Sequence, residues 1–288
     1  MKRYLSDTSF KISTGFLLAT ITILAIFAFV LQGELREKLE NDSSKQISAS
    51  GNAIVAELVQ QTSLVKSLAE SLAAVVSATP YSDTLYHQLL PRLIGIDHSS
   101  TIVAGGGIWP EPHTLDINKQ RNSYFWGKND LGEFDFYNDY NLDNGEGYHN
   151  EEWYVPAKYL THNSCYWSRS YIDPFSKEPM VTCTVPILKQ NQFTGAASID
   201  MKLEGLHKLL KKQSDDIGGY VFLIDQNNKF ITFPETQYIK NTDNTGLLDV
   251  SELALNHPEF QDLSNRLLKI SERTSAIPPE ASQLHRSM

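Results

Sequence analysis

Cysteine is nearly absent. Cys165 and Cys183 are the only two among 288 residues, which leaves room for one intrachain disulfide at most. Basic residues are also in deficit, with 25 Lys and Arg against 34 Asp and Glu, a net charge of −9 and a pI near 5.4. No Lys/Arg cluster offsets that balance, which argues against a nucleic-acid partner. Catalytic motifs are missing as well: there is no P-loop, no G-x-S-x-G elbow and no H-E-x-x-H. The eight histidines are scattered, and His149, His162 and His207 lack the spacing of metal ligands. Glu151 and Glu152 are adjacent, so on a helix their carboxylates point apart and read as a solvated face. No catalytic residue, cofactor or metal is expected.

Two local absences shape the N-terminal half. Residues 12–31 contain no charge, and about 20 residues at roughly 1.5 Å each span the hydrocarbon thickness of a bilayer. A cleaved signal peptide is the rival, but its apolar core would be about 7–15 residues, followed by a small-x-small site. Here bulky Phe29 stands between Ala28 and Val30, so a membrane anchor is the preferred reading. Lys2, Arg3 and Lys11 precede it against a single Asp7, which keeps residues 1–11 in the cytoplasm and places the rest outside.

Residues 34–78 lack proline and hold one glycine, Gly51. Ile47, Gly51, Ile54, Leu58, Val65, Leu68, Leu72 and Val75 follow a 4-3 spacing that puts them on one stripe of a long helix. Such a stripe faces a core, a dimer partner, or both. A short helix over 81–90, ended by Pro91, should follow. Beyond it comes a strand over 102–109 containing Gly105-Gly106-Gly107.

What is present is most concentrated between Tyr148 and Asp200. Two β-branched and aromatic runs, 165–172 and 179–188, flank turn-forming residues 173–177, and a third run covers 193–199. These read as three sequential antiparallel strands, preceded by a short helix that carries Trp153 and Tyr154 toward the sheet. A further hairpin is expected over 123–137, and a loop over the pocket at 139–147. After Asp200 a helix over 203–213 leads to a hairpin spanning 219–233, and then only helical pieces follow. One hairpin cannot bury its own face, so the chain reads as a fragment ending inside a second lobe.

Trp153-Tyr154, Tyr171-Ile172-Asp173 and the strand from Gly195 to Asp200 together resemble the ligand-binding lobe of double Cache (dCache) sensor domains of bacterial transmembrane transducers. The resemblance runs from about Gly33 to Lys240. It implies an α+β chain with PAS-like antiparallel-sheet lobes. Its parts would be a transmembrane helix at 12–31, a stalk and dimer helix at 33–79, a membrane-distal lobe at 80–213 and a membrane-proximal lobe at 218–288. It also implies a small-molecule site at Trp153, Tyr154, Tyr171, Asp173 and Asp200.

By strand alternation Arg169 shares a face with Tyr171 and Asp173, and Trp109 and Trp126 are candidates for the aromatic wall. In the amino-acid-binding dCache subgroup an Arg stands two residues before the Trp-Tyr pair. Here that position is Glu151, so the bidentate grip on a carboxylate is lost. Asp173 and Asp200, ringed by aromatics, suit an amine or other cation. The plainer alternative makes the aromatics core and the aspartates caps or turns. Cys165 and Cys183, on neighbouring strands outside the membrane, favour a disulfide over two reduced thiols. The functional expectation is a periplasmic sensor that binds a small molecule and dimerises through the long helix. A membrane-anchored hydrolase or carbohydrate-binding protein is the alternative.

Overall fold

The computed structural model describes residues 2–96, 102–129, 131–142, 145, 147–173, 179–225, 228–233 and 247–275. The turns expected at 173–177 and 226–228 lie largely outside these residues, and the loop at 139–147 partly so.

Two compact units divide the chain at Val55 and Ala56. The first, Met1–Val55, is helical from Lys2 onward and belongs to helix α1, Lys2–Ala78. From Gly15 onward this helix is long and apolar enough to cross a membrane, with a window of mean hydropathy 2.3. Phe16, Leu24 and Phe29 on it are exposed. The hydroxyls of Thr20 and Thr22 donate back to the carbonyls of Phe16 and Leu18, both at 2.9 Å. They therefore carry no unmet polar demand into an apolar medium.

In the second unit, Ala56–Met288, the end of α1 turns its stripe inward: Val65, Leu68, Ala69, Leu72, Ala73 and Val76 are buried. The expected spacing is thus a core face at Val65, Leu68 and Leu72 in this unit, whereas Ile47, in the first, is exposed. Helix α2, Asp83–Ile94, is capped by Ser82, whose hydroxyl accepts from the Leu85 amide, and it packs on the first two strands of the sheet described below. Pro91 does not end it. The ring removes one backbone hydrogen bond, but burial of Leu90 and Ile94 keeps the last turn helical, and the Gly95 amide closes on the Pro91 carbonyl.

The fold is α+β, as expected. Strands β1 (Val103–Pro110), β2 (Tyr124–Lys128), β3 (Phe134–Tyr137), β4 (Tyr166–Trp167), β5 (Tyr171–Ile172), β6 (Pro179–Lys189) and β7 (Gln192–Lys202) form one antiparallel sheet. Its order is β3-β2-β1-β7-β6-β4, with β5 also paired to β6. Residues 165–172 are therefore two short strands rather than one. Between them Ser168 substitutes for the ladder: its amide donates to the Thr182 carbonyl and its hydroxyl accepts from the Thr182 amide, both at 2.9 Å.

Register separates two faces. Gly105 lies opposite Gly127 and Asp200, Gly107 opposite Phe125 and Ser198, and Trp109 opposite Ala196. Since side chains alternate, these residues share one face with Thr182, Thr184, Tyr137 and Lys202. The other face carries Ile108, Tyr124, Trp126, Ala197, Ile199 and Cys183, all buried.

Helix α3, Glu204–Ile217, follows β7 and ends at Gly218, whose φ of 63° is the left-handed cap a glycine accepts readily. The following hairpin is shorter than expected, with β8 at Leu223–Ile224 and β9 at Phe230–Thr232. Helix α4, Val250–Asn256, opens with an Asp249/Glu252 capping box, and α5 spans Gln261–Ser275. Phe230, Phe233, Leu247, Val250 and Leu253 form the core of this region.

Cys165 and Cys183 are bonded, closing a loop 18 residues apart in sequence. Replacing both with Ala should cost about 3 kcal/mol by the loop-entropy relation. Urea unfolding of wild type and double variant at equal oxidation measures that loss, and equal midpoints would show that the bond constrains nothing.

Candidate functional site

The sheet face that carries Asp200 lacks side chains where three glycines meet, at Gly105, Gly107 and Gly127. A cavity of about 220 Å³ opens there, lined by Ala104, Phe125, Gly127, Lys128, Asn129, Tyr137, Tyr140, Asp173, Met180, Asp200 and Lys202. Tyr140 comes from a 3-10 turn at Asp139–Asn141, so the segment expected to cover the pocket does contribute a wall.

Asp173 and Asp200 both line this cavity. The Thr182 hydroxyl donates to Asp200 at 2.8 Å, and the Tyr171 hydroxyl stands 3.0 Å from the Thr182 oxygen. With Thr182 committed to the carboxylate, Tyr171 is the donor of that second bond. Burial pushes the Asp200 carboxyl up to about 6, the nearby Asp173 adds to the rise, and the Thr182 hydrogen bond opposes it. Tyr140 is raised by burial, then by the carboxylates of Asp200, Asp173 and Glu151. Tyr171 is raised well above its usual value by burial and then by Asp200. Both phenols therefore stay protonated donors at neutral pH.

The aromatic pair stands behind this cavity rather than on its surface. Tyr154 is fully buried, and its hydroxyl donates to Glu111, which also accepts from Lys158 at 2.7 Å. Trp153 packs on Trp109 with ring centroids 4.7 Å apart. Trp109 in turn meets Tyr140 at 4.9 Å and Phe125 at 5.4 Å, and its indole donates to Ser198 at 2.8 Å. Trp109 thus backs two of the three rings that line the cavity, and Trp153 stands behind Trp109. Glu151, where an Arg would stand in the amino-acid-binding subgroup, is exposed.

Two expected wall residues lie elsewhere. Trp126 is on the opposite face, among Tyr124, Phe136 and His87; its neighbour Phe125 takes the cavity side, because adjacent strand residues alternate. Arg169 is exposed and does not line the cavity. The irregular step at Ser168 breaks the alternation that placed it with Tyr171.

Sequence reasoning missed Lys128, Lys202, Tyr140 and Thr182. Lys202 follows Asp200 by two positions in one strand, so alternation could have found it. A polar Thr182 directly opposite Asp200 required the register.

The antiparallel sheet thus holds on one face a small cavity lined by charged and aromatic side chains. Residues 94–208 match the family model of the methyl-accepting chemotaxis protein-like first PDC sensor domain. Over 85 residues the chain is 29% identical to the methyl-accepting chemotaxis protein McpC of Bacillus subtilis, covering 30% of this chain and 13% of that protein. The match thus spans about an eighth of that relative. The fold is similar to the extracellular domain of mmHK1S-Z2, a provisionally assigned histidine kinase, at TM-score 0.58 and 17% identity, covering 80% of this chain and 82% of that one. It is also similar to the ligand-binding domain of the Campylobacter jejuni chemoreceptor Tlp3 in complex with L-valine, at TM-score 0.50 and 18% identity, covering 71% and 74%.

Proposed function

We propose that this chain is the ligand-sensing part of a bacterial membrane signal transducer. Residues 12–31 anchor it, and residues 80–213 form a membrane-distal lobe facing the periplasm. The chain itself carries no catalysis; a chemoreceptor stalk, a diguanylate cyclase or a histidine kinase would be the output. Residues 33–79 pair with a second copy of the chain and carry the signal, and exposed Leu35, Leu39 and Ile47 on α1 support that pairing. Residues 218–288 form the membrane-proximal lobe.

The ligand is a small amine-bearing molecule. The observation that carries this reading is the pair Asp173 and Asp200 in one cavity that also has three aromatic wall residues, Phe125, Tyr137 and Tyr140. An ammonium group there meets two carboxylates and ring faces together. Lys128 and Lys202 line the same cavity, which suits a ligand with an acidic end opposite its amine, and Tlp3 is a neighbour crystallised with such a molecule. The volume, below the roughly 300–1,000 Å³ typical of drug-sized ligands, favours a small one.

A thermal-shift screen of amines, amino acids, plain carboxylates and sugars tests this. At 100 times Kd a true ligand stabilises by about 2.7 kcal/mol, and only amine-bearing compounds should do so. A response confined to plain carboxylates or sugars would overturn the ligand class.

A further inference from the structure

Residues 170–173 have two sides with different partners. The Ser170 hydroxyl donates to Asp225 at 2.7 Å. Asp225 also accepts from the Lys229 amide at 3.0 Å and so closes the β8–β9 hairpin. Ile172 packs against the core made by Phe230, Phe233, Leu247, Val250 and Leu253. Tyr171, between them, reaches the other way through Thr182 to Asp200, and Asp173 lines the cavity itself.

Even positions therefore hold the C-terminal hairpin region and odd positions hold the cavity, which is the period of an extended chain. The segment is also lightly tied to its own sheet. Strand β5 has two residues, pairs only with the end of β6 through Tyr171–Met180 and Ile172–Pro179, and is cut from β4 by the irregular step at Ser168. A short, edge-placed element with side chains committed on both sides can shift without unpacking the sheet.

We propose that residues 170–173 are the element that couples the cavity to the C-terminal hairpin region. A cation at Asp173 and Asp200 pulls on Asp173 directly and on Tyr171 through Thr182. Because the backbone is shared, Ser170 and Ile172 must follow. The change reaches Asp225 and the Phe230–Val250 core, on the chain segment that continues past the sensor sheet. This rests on the cavity being the ligand site, but the coupling itself exists in the empty protein and can be measured there. Coupling of this kind is reciprocal, so a change made on either side must be felt on the other.

The test is hydrogen exchange followed by mass spectrometry on the full chain in nanodiscs, without ligand. Tyr171→Phe removes the hydroxyl that bonds Thr182, and Ser170→Ala removes the bond to Asp225. Tyr140→Phe alters the cavity wall from the Asp139–Asn141 turn, outside this segment and its backbone. Tyr171→Phe should speed exchange in 228–233 and 250–256 at least about threefold, and Ser170→Ala should do the same in 180–184 and 198–202. Tyr140→Phe should leave 228–233 and 250–256 at the wild-type rate. Should Tyr171→Phe disturb only the sheet and Ser170→Ala only the hairpin, the segment is no coupler. An equal response of the hairpin to Tyr140→Phe would also overturn the proposal, since it would mean that any cavity change reaches it. None of these outcomes depends on which ligand, if any, the screen finds.

Discussion

Asp200→Asn is expected to make the empty protein more stable at pH 7.5 and at the same time to weaken ligand binding. Asp200 titrates near 3.8 when unfolded and near 6 when folded. The folded state therefore holds the proton more tightly, and stability falls as pH rises between those values, then levels off. Above pH 6 the full penalty of a buried carboxylate is present, roughly 3 kcal/mol at most from a shift of that size. Asn keeps an oxygen to accept the Thr182 hydroxyl and carries no charge. Denaturant unfolding should show the variant ahead by one to about 3 kcal/mol at pH 7.5, with the gap mostly closed by pH 4.5. A charge-assisted hydrogen bond to an ammonium is lost, about 1.5–3 kcal/mol, so affinity should fall about 10- to 100-fold or more. The same titration weakens binding to the parent as pH drops through 6. A variant that binds as well as the parent would remove Asp200 from the site, and one less stable at pH 7.5 would mean that its carboxylate holds the fold.

Gly107→Ala should have the largest effect on folding. A Cβ at that position would lie 2.2 Å from the Tyr124 carbonyl oxygen and 2.9 Å from the Phe125 Cα, both backbone atoms of the paired strand β2. Backbone in the middle of a sheet cannot swing aside, so β1 and β2 must part where Gly107 faces Phe125. A loss of about 3 kcal/mol or more is expected. Gly205→Ala, in helix α3 with nothing within 4 Å of the new methyl, should instead gain up to about 1 kcal/mol. Equal midpoints for Gly107→Ala and wild type would mean that the strands are not as closely packed as described.

The strands were legible because their residues announce them. The β-branched and aromatic runs around Thr182–Val185 and Ala197–Ile199 fit only a pleated, buried surface. Asp173 and Asp200 were legible as cavity residues by resemblance. Parity was harder to read. The run around Tyr124 and Trp126 shows two aromatics on one face and one on the other, and only pairing with β1 reveals that Phe125 is the one facing the cavity. Arg169 failed for a related reason: alternation holds only while the ladder does, and Ser168 interrupts it with its own hydroxyl. Tyr154 shows the competing principle at work, since a buried phenol needs an acceptor and half-buried Glu111 supplies one. Pro91 misled because losing one hydrogen bond is a smaller term than burying Leu90 and Ile94.

The most direct test is a crystal structure of the chain with the strongest hit from the ligand screen. The expected result is density in the cavity of about 220 Å³, with the ligand's amine nitrogen about 2.7–2.9 Å from Asp200 and close to Asp173. A ligand lodged instead in the polar groove between Asp83, Lys119 and Arg121, or in the C-terminal hairpin region, would contradict it.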